Sequence, residues 1–163
     1  MPSFQTLLLW LLVMNLGIAF GAGLYESRIV LPQWLEPSAD GTYHWNAAAA
    51  RAANTGLKFW IYVTTVPLTL LTIANLIAAW RSGGMIRNWW LGAVAVVAAE
   101  RIMTFSYFIP TMVKLQYTEA LPQSEAVATA LQWAQVNYLR HALILIAWLA
   151  ALMAFSLSGE RRI

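Results

Sequence analysis

The sequence has no cysteine and only two histidines. Without thiols there are no disulfides, thiolate metal sites or cysteine nucleophiles. His44 lies outside every apolar run, so a haem held between two histidines within a membrane is disfavoured too. Charge is equally scarce. Of 163 residues only 10% are Asp, Glu, Lys or Arg, against about 25% in an ordinary soluble domain. So few charges leave a water-facing surface uncovered, and disorder needs the opposite balance. Ten Lys and Arg against seven Asp and Glu give a net charge of +3. The basic residues are spread along the chain and form no stripe, so nucleic acid is not an expected partner. What is abundant is apolar surface, at 60% of residues. The expectation is a single integral membrane domain over residues 1–163, with the lipid bilayer as its first partner.

Four apolar runs, at about 4–25, 57–80, 89–109 and 138–157, are long enough to cross the hydrocarbon core, which takes roughly 20 residues as helix. Lipid offers no partner to an unpaired backbone group, so each run must be helical. The first run mimics a signal peptide at Ala19-Phe20-Gly21. No Lys or Arg precedes it, however, and it exceeds an h-region of about 7–15 residues, so it is read as a span. The predicted fold is all-α, an integral membrane four-helix bundle.

Four spans put both ends of the chain on one side. Arg81 and Arg87 flank a short connection, and Arg161 and Arg162 follow the last run. Elsewhere Arg28, Arg51, Lys58 and Lys114 are diluted by Glu36, Asp40, Glu119 and Glu125 in longer loops. The positive-inside bias therefore predicts cytoplasmic termini in a bacterial inner (plasma) membrane. Trp10, Trp60, Trp80, Trp89, Trp90 and Trp133 lie near the ends or flanks of runs, as an interfacial aromatic belt would place them.

The outer loops carry structure of their own. Pro37-Ser38-Ala39-Asp40-Gly41 is turn chemistry. Asn46 can cap a short Ala-rich helix to about 53, ended by Asn54-Thr55-Gly56. A helix capped by Ser124 meets no Pro or Gly before Gly159. It would run about 34 residues and some 50 Å at 1.5 Å per residue, longer than the membrane is thick. The third helix is expected to continue past Pro110 to about 119, kinked where proline lacks its donor. These extensions and the first loop would form a small extracytoplasmic cap.

Glu100-Arg101 is the sharpest chemical signal, because it sits near the middle of the third span. A charge at that depth costs about 2.5–3.5 kcal/mol on insertion scales and normally faces a partner or a water-filled cavity. Helical periodicity puts Glu100 on a face with Met103, Thr104 and Tyr107, and Arg101 on one with Phe105 and Phe108. The alternative is an interhelical salt bridge that only fixes packing, with Arg101 paired to Glu100 or snorkelling. In the fourth helix Trp133, Asn137, Arg140 and His141 share one face. Glu26 emerges at the same level, and Lys58, Tyr62 and Thr65 join from the second helix. The outer half of the bundle should thus gather Glu26, Tyr62, Tyr107, Asn137, Arg140 and His141, with Glu100 below. A charge belt satisfied by water and headgroups is the competing account.

Weaker features have structural readings. Gly17-Ile18-Ala19-Phe20-Gly21 is a GxxxG motif that suits close helix packing. Pro67 reads as a tolerated kink, Asn75 as a bond across helices, and His44 as solvent-facing. His141 with Glu26 and Glu100 could make an oxygen-and-nitrogen metal set. The Glu-x-x-His pattern of di-iron bundles is missing, and neither metal nor cofactor is expected.

One pattern extends over most of the chain. A Gly-containing first span is followed by Tyr25 and Glu26, and Phe105-Ser106-Tyr107-Phe108-Ile109-Pro110 by Leu115. The fourth helix then carries Trp133-Ala134-Gln135-Val136-Asn137-Tyr138-Leu139-Arg140. This resembles the small four-helix membrane family of largely unknown function that includes anthrone oxygenases. The most specific part is Trp-x-x-x-Asn-x-x-Arg, matched by Trp133, Asn137 and Arg140. Pro110 matches the proline of the third helix, but Met112 stands where many relatives carry Asn. The resemblance implies cofactor-independent oxidation of an acidic polyphenolic carbon by molecular oxygen.

Three functional expectations follow. In the first, a lipophilic phenolic or quinone-like molecule enters from the outer leaflet and loses a proton to His141 or Glu100. Arg140 and Asn137 then hold the developing oxyanion and Tyr107 orients it, with Trp133, Glu26, Tyr62 and Arg101 completing the binding site. In the second, the chain is a non-catalytic module that binds lipid or a partner protein, its charges acting as packing glue. The third is a proton-coupled carrier with Glu100 as carrier group, for which so small a bundle would need to form a homo-oligomer.

Overall fold

The computed structural model describes residues 4–39, 41–117 and 121–160, the side chains of 159 and 160 excepted. Arg161 and Arg162 of the charge argument, Asp40 of the expected turn and Glu119 at the expected end of the third helix lie outside the described residues.

The chain is overwhelmingly helical. Helix α1 covers Phe4–Tyr25, α2 Ala47–Ala53, α3 Val66–Trp80, α4 Gly84–Met103, α5 Ile109–Tyr117 and α6 Gln123–Glu160. Wider π-helical turns extend or join them at Glu26–Val30, Gly56–Thr65 and Thr104–Phe108, and a 3-10 turn follows at Leu31–Gln33. Merged across these turns, four helices are long and apolar enough to cross a membrane, as an integral membrane protein requires: Phe4–Gln33, Gly56–Trp80, Gly84–Tyr117 and Gln123–Ser158. The third and fourth extend beyond their apolar runs as expected, whereas the first exceeds its run of 4–25 through polar helical turns that a hydropathy reading does not see. Helix α6 starts at Gln123, where the amides of Glu125 and Ala126 donate to Pro122 O. It therefore begins one residue ahead of the expected cap at Ser124.

One departure from all-α is a hairpin of β1 (Leu35–Pro37) and β2 (Tyr43–Trp45), antiparallel with Leu35 opposite Trp45. Gly41, at φ +81°, occupies the left-handed conformation that its turn needs. Exposed His44 stands on β2. Asn46 caps α2 as expected, its side chain accepting from the Ala49 amide at 2.9 Å, and Asn54 ends it in the left-handed conformation.

The three π segments share one sequence cause. Leu31, Val66 and Ile109 each donate their amide five residues back, to Glu26, Ile61 and Thr104. Each is followed by a proline, Pro32, Pro67 or Pro110. Proline lacks an N–H and its ring crowds the carbonyl four residues earlier. A widened turn just ahead of the ring relieves that crowding. The kink expected at Pro110 is thus spread over Thr104–Phe108, and Pro67 has the same effect further up its own helix. Asn15 donates to Val63 O at 2.8 Å and so satisfies a carbonyl of the widened stretch.

Packing is apolar at both ends of the helices and polar between. Helix α6 lies against α4 and α1, and α3 against α1 and α4. One buried cluster joins Leu9, Leu12 and Leu16 with Leu68, Val97, Ile144 and the alanines 147, 151 and 154. Small residues on α6 let neighbouring backbones approach. A second cluster joins Leu31, Trp34, Trp45, Phe108, Leu115 and Trp133. Along α1, α4 and α6 alike, the buried polar residues Glu26, Glu100, Arg101, Asn137 and His141 fall between the two. On the outside, Leu70, Ile73, Ile102 and Ile146 are more than half exposed, an apolar surface suited to lipid.

The helix contacts correct two expectations. Gly17 abuts the Trp148 ring, but among the described residues nothing lies within 4 Å of a side chain built at Gly21, so GxxxG is only half used. Of the six tryptophans expected in a belt, Trp10, Trp80 and Trp89 are exposed and Trp60 is half-buried. Trp90 and Trp133 are buried, their N–H groups donating to Asn75 Oδ1 and Phe108 O. Asn75 does bond across helices, donating to Leu8 O at 3.2 Å.

Candidate functional site

Between the two clusters is a cavity of about 290 Å³. The three π segments or their flanks all contribute to its wall, as such turns frequently do at functional sites. Two ion pairs border it.

The first pair lies across helices. Glu26 is buried where α1 passes into its wide turn, and it accepts from Trp60 Nε1 at 2.7 Å and from Thr55 Oγ1 at 3.2 Å. Arg140 of α6 brings Nη2 to 3.8 Å from its other oxygen. The same guanidinium stacks on the Phe108 ring, 4.7 Å from its centroid, and lies 5.7 Å from that of Trp60. Cation–π contacts of this kind hold a desolvated arginine without neutralising it.

The second pair lies within one helix. Arg101 turns back so that Nε and Nη2 both reach Glu100 Oε2 at 2.6 Å, and Thr104 Oγ1 donates to Oε1 at 2.7 Å. Adjacent helical side chains do not ordinarily face one another. The bridge thus has the Glu100–Arg101 pairing that the packing account named, made within one helix and not between two. Arg101 Nη1 is buried with no partner among the described residues.

His141 completes the wall. It is 6% exposed, and its nearest polar neighbour is the Gly23 backbone, which faces the ring without making a well-formed hydrogen bond to either nitrogen. The ring is seated against Gly23 of α1, where a side chain would collide with it.

Six of the sequence-predicted site residues thus converge: Glu26, Glu100, Arg101, Trp133, Arg140 and His141 line the cavity. Three do not. Tyr62 is 74% exposed and lies outside the wall. The π turns of Gly56–Thr65 change the helical period there, and Trp60 and Thr64 face inward instead. Tyr107 gives way to Phe108 for the same reason, since α-helical spacing from Glu100 falls one residue short once the turn widens at Thr104. The Tyr107 ring packs edge-on against Phe108 and its buried hydroxyl has no partner among the described residues. Asn137 is buried beside the site, not in its wall, and donates to Ser27 Oγ at 2.9 Å.

Sequence reasoning missed Trp60, Phe108 and Gly23. The prolines two residues after each π segment were the available signal for the first two. Gly23 had none, because its significance lies in a neighbour more than a hundred residues away. Met112 does line the cavity. Among the described residues no three His, Asp or Glu side chains come close enough to share a metal ion, and Glu26 and Glu100 each face an arginine. No family model, curated protein or solved structure matches the chain.

Proposed function

We propose that the chain is a four-helix bundle in a bacterial inner membrane, with cytoplasmic termini and an outer cap, whose cavity takes a small lipophilic phenolic or quinone-like molecule. One observation carries this reading: a space of about 290 Å³, sunk in apolar helices, is bordered by two arginines and by a buried imidazole whose protein neighbours leave its hydrogen-bonding capacity largely unused. Burying such polar groups is unfavourable unless a ligand or ordered water meets them.

The reaction is cofactor-independent oxidation by molecular oxygen, as the resemblance to anthrone oxygenases implies. His141 accepts a proton from an activated methylene carbon of the substrate. Arg140 and the free Nη1 of Arg101 stabilise the enolate or phenolate oxygen that forms. The carbanion passes an electron to oxygen, and the radical pair joins as a peroxide that takes the proton back from His141. Loss of water leaves a carbonyl: two C–H bonds are broken, one oxygen atom enters the product and the other leaves as water. Glu100 is held by Arg101 and Thr104, which favours His141 over it as base.

Oxygen uptake by the purified protein with an anthrone-like substrate tests the proposal. His141→Ala should lower uptake by at least about a hundredfold, the usual size of general-base catalysis. Unchanged uptake in both His141→Ala and Glu100→Gln removes the base and the mechanism with it.

The second reading, a non-catalytic module that binds lipid or protein, is favoured by the saturation of Glu26 with internal partners. It predicts that replacements at Glu26 and Arg140 lower thermal stability and that no quinone or phenol shifts the melting temperature.

A further inference from the structure

The cavity has a size and a mouth that narrow the class of ligand. An apolar cavity of about 150 Å³ accepts benzene. At about 290 Å³ this one has room for a head of one or two rings. Leu57, Ile109, Val113 and Tyr117 belong to its wall, yet they are 58%, 39%, 49% and 55% exposed. They mark where the cavity opens on the outside of the protein, between the start of Gly56–Thr65 and helix α5. The opposite end of the wall is closed by Ala19 and Ile144, both buried. A ligand with its oxygens on Arg101 and His141 thus has one way for further carbon to leave, past aliphatic side chains suited to acyl chains.

We propose that the ligand is a tailed phenol or quinone, with a one- or two-ring head in the cavity and an alkyl or isoprenoid tail leaving between Leu57 and the Ile109–Val113 side of α5. This deepens the reading given above and rests on it. Two features of the wall suit such a head. Arg101 Nη1 is a donor without a partner. A neutral imidazole offers one donor and one acceptor, so His141 meets either a quinone carbonyl or a phenol hydroxyl.

The test uses the full chain in lipid nanodiscs and three probes: 2-methylnaphthoquinone, the same head with a decyl tail, and anthrone. Binding is read from tryptophan fluorescence and expressed per mole fraction in the membrane. The tailed compound should bind severalfold more tightly than the bare head, because in lipid the tail gains by packing against side chains and not by leaving water. Val113→Trp should remove that advantage, while Leu70→Trp, which faces outward away from the cavity, leaves it. Anthrone should bind more weakly than the two-ring head. A diazirine at the end of the tail gives a readout on the unsubstituted protein and should label Leu57, Ile109 or Val113. If the bare head binds but the tail adds nothing, or if label spreads over Leu70 and Ile73 instead, the tailed-ligand inference falls and the pocket reading stands. Anthrone binding as tightly as the two-ring head overturns the size limit. If no probe binds, the pocket reading itself fails.

Discussion

A methyl group placed on Gly23 would lie 2.7 Å from Nε2 of His141. The ring of α6 occupies the space that any other residue on α1 would fill, so a glycine decides where the proposed base sits. Gly23→Ala must turn the imidazole aside. The ring can swing, so stability should fall by only about 1 kcal/mol, the low end for overpacking. Oxygen uptake should fall far more, by about a hundredfold, as displacement of a catalytic group by an ångström can do. Thermal unfolding and uptake measured on the same sample separate the two effects. An alanine variant with full activity would place His141 outside the chemistry.

Glu100 and Arg101 form a buried pair, and removing one partner strands the other charge. Glu100→Leu and Arg101→Met should each destabilise by about 3–5 kcal/mol, and the double variant by less than either alone. A thermal-unfolding cycle in detergent gives the coupling. Strictly additive losses would show that the 2.6 Å contact contributes nothing to stability.

Asn75 makes its bonds in the apolar half, donating to Leu8 O and Leu71 O and accepting from Trp90. Hydrogen bonds between membrane helices average about 0.6 kcal/mol, so Asn75→Ala should lose about 1 kcal/mol over the two that cross, to Leu8 O and from Trp90. It lies outside the cavity wall, and oxygen uptake per folded molecule should not change. A selective loss of uptake would mean that the site extends much further along the helices.

Trp60 and Tyr62 are two residues apart and should behave oppositely. Tyr62→Ala should leave ligand binding unaltered, because the ring points away from the protein. Trp60→Phe keeps an aromatic wall but removes the donor to Glu26, freeing a carboxylate oxygen to compete for Arg140. Binding of a quinone should weaken severalfold, read by isothermal titration calorimetry. The reverse ranking would mean that the helix turns Tyr62, and not Trp60, toward the cavity.

Four membrane-length helices, the capped α2 and the depth of Glu100 were all legible in the sequence. Each depends on a local quantity: a run of apolar residues longer than the bilayer core, an asparagine ahead of alanines, a carboxylate far from either end of a run. The convergence of Glu26, Arg140 and His141 was legible too, because they stand at matching heights on helices of known direction. Which faces met was decided by tertiary structure. Tyr62 and Tyr107 were placed by a constant helical period, and the period changes ahead of Pro67 and Pro110, turning Trp60 and Phe108 inward. The seat of His141 on Gly23, and the hairpin that sequence reading took for loop, depend on contacts between distant segments. Helical spans follow from composition because lipid forbids any other backbone. The shape of the space between them depends on side chains from different helices, which no single stretch of sequence contains.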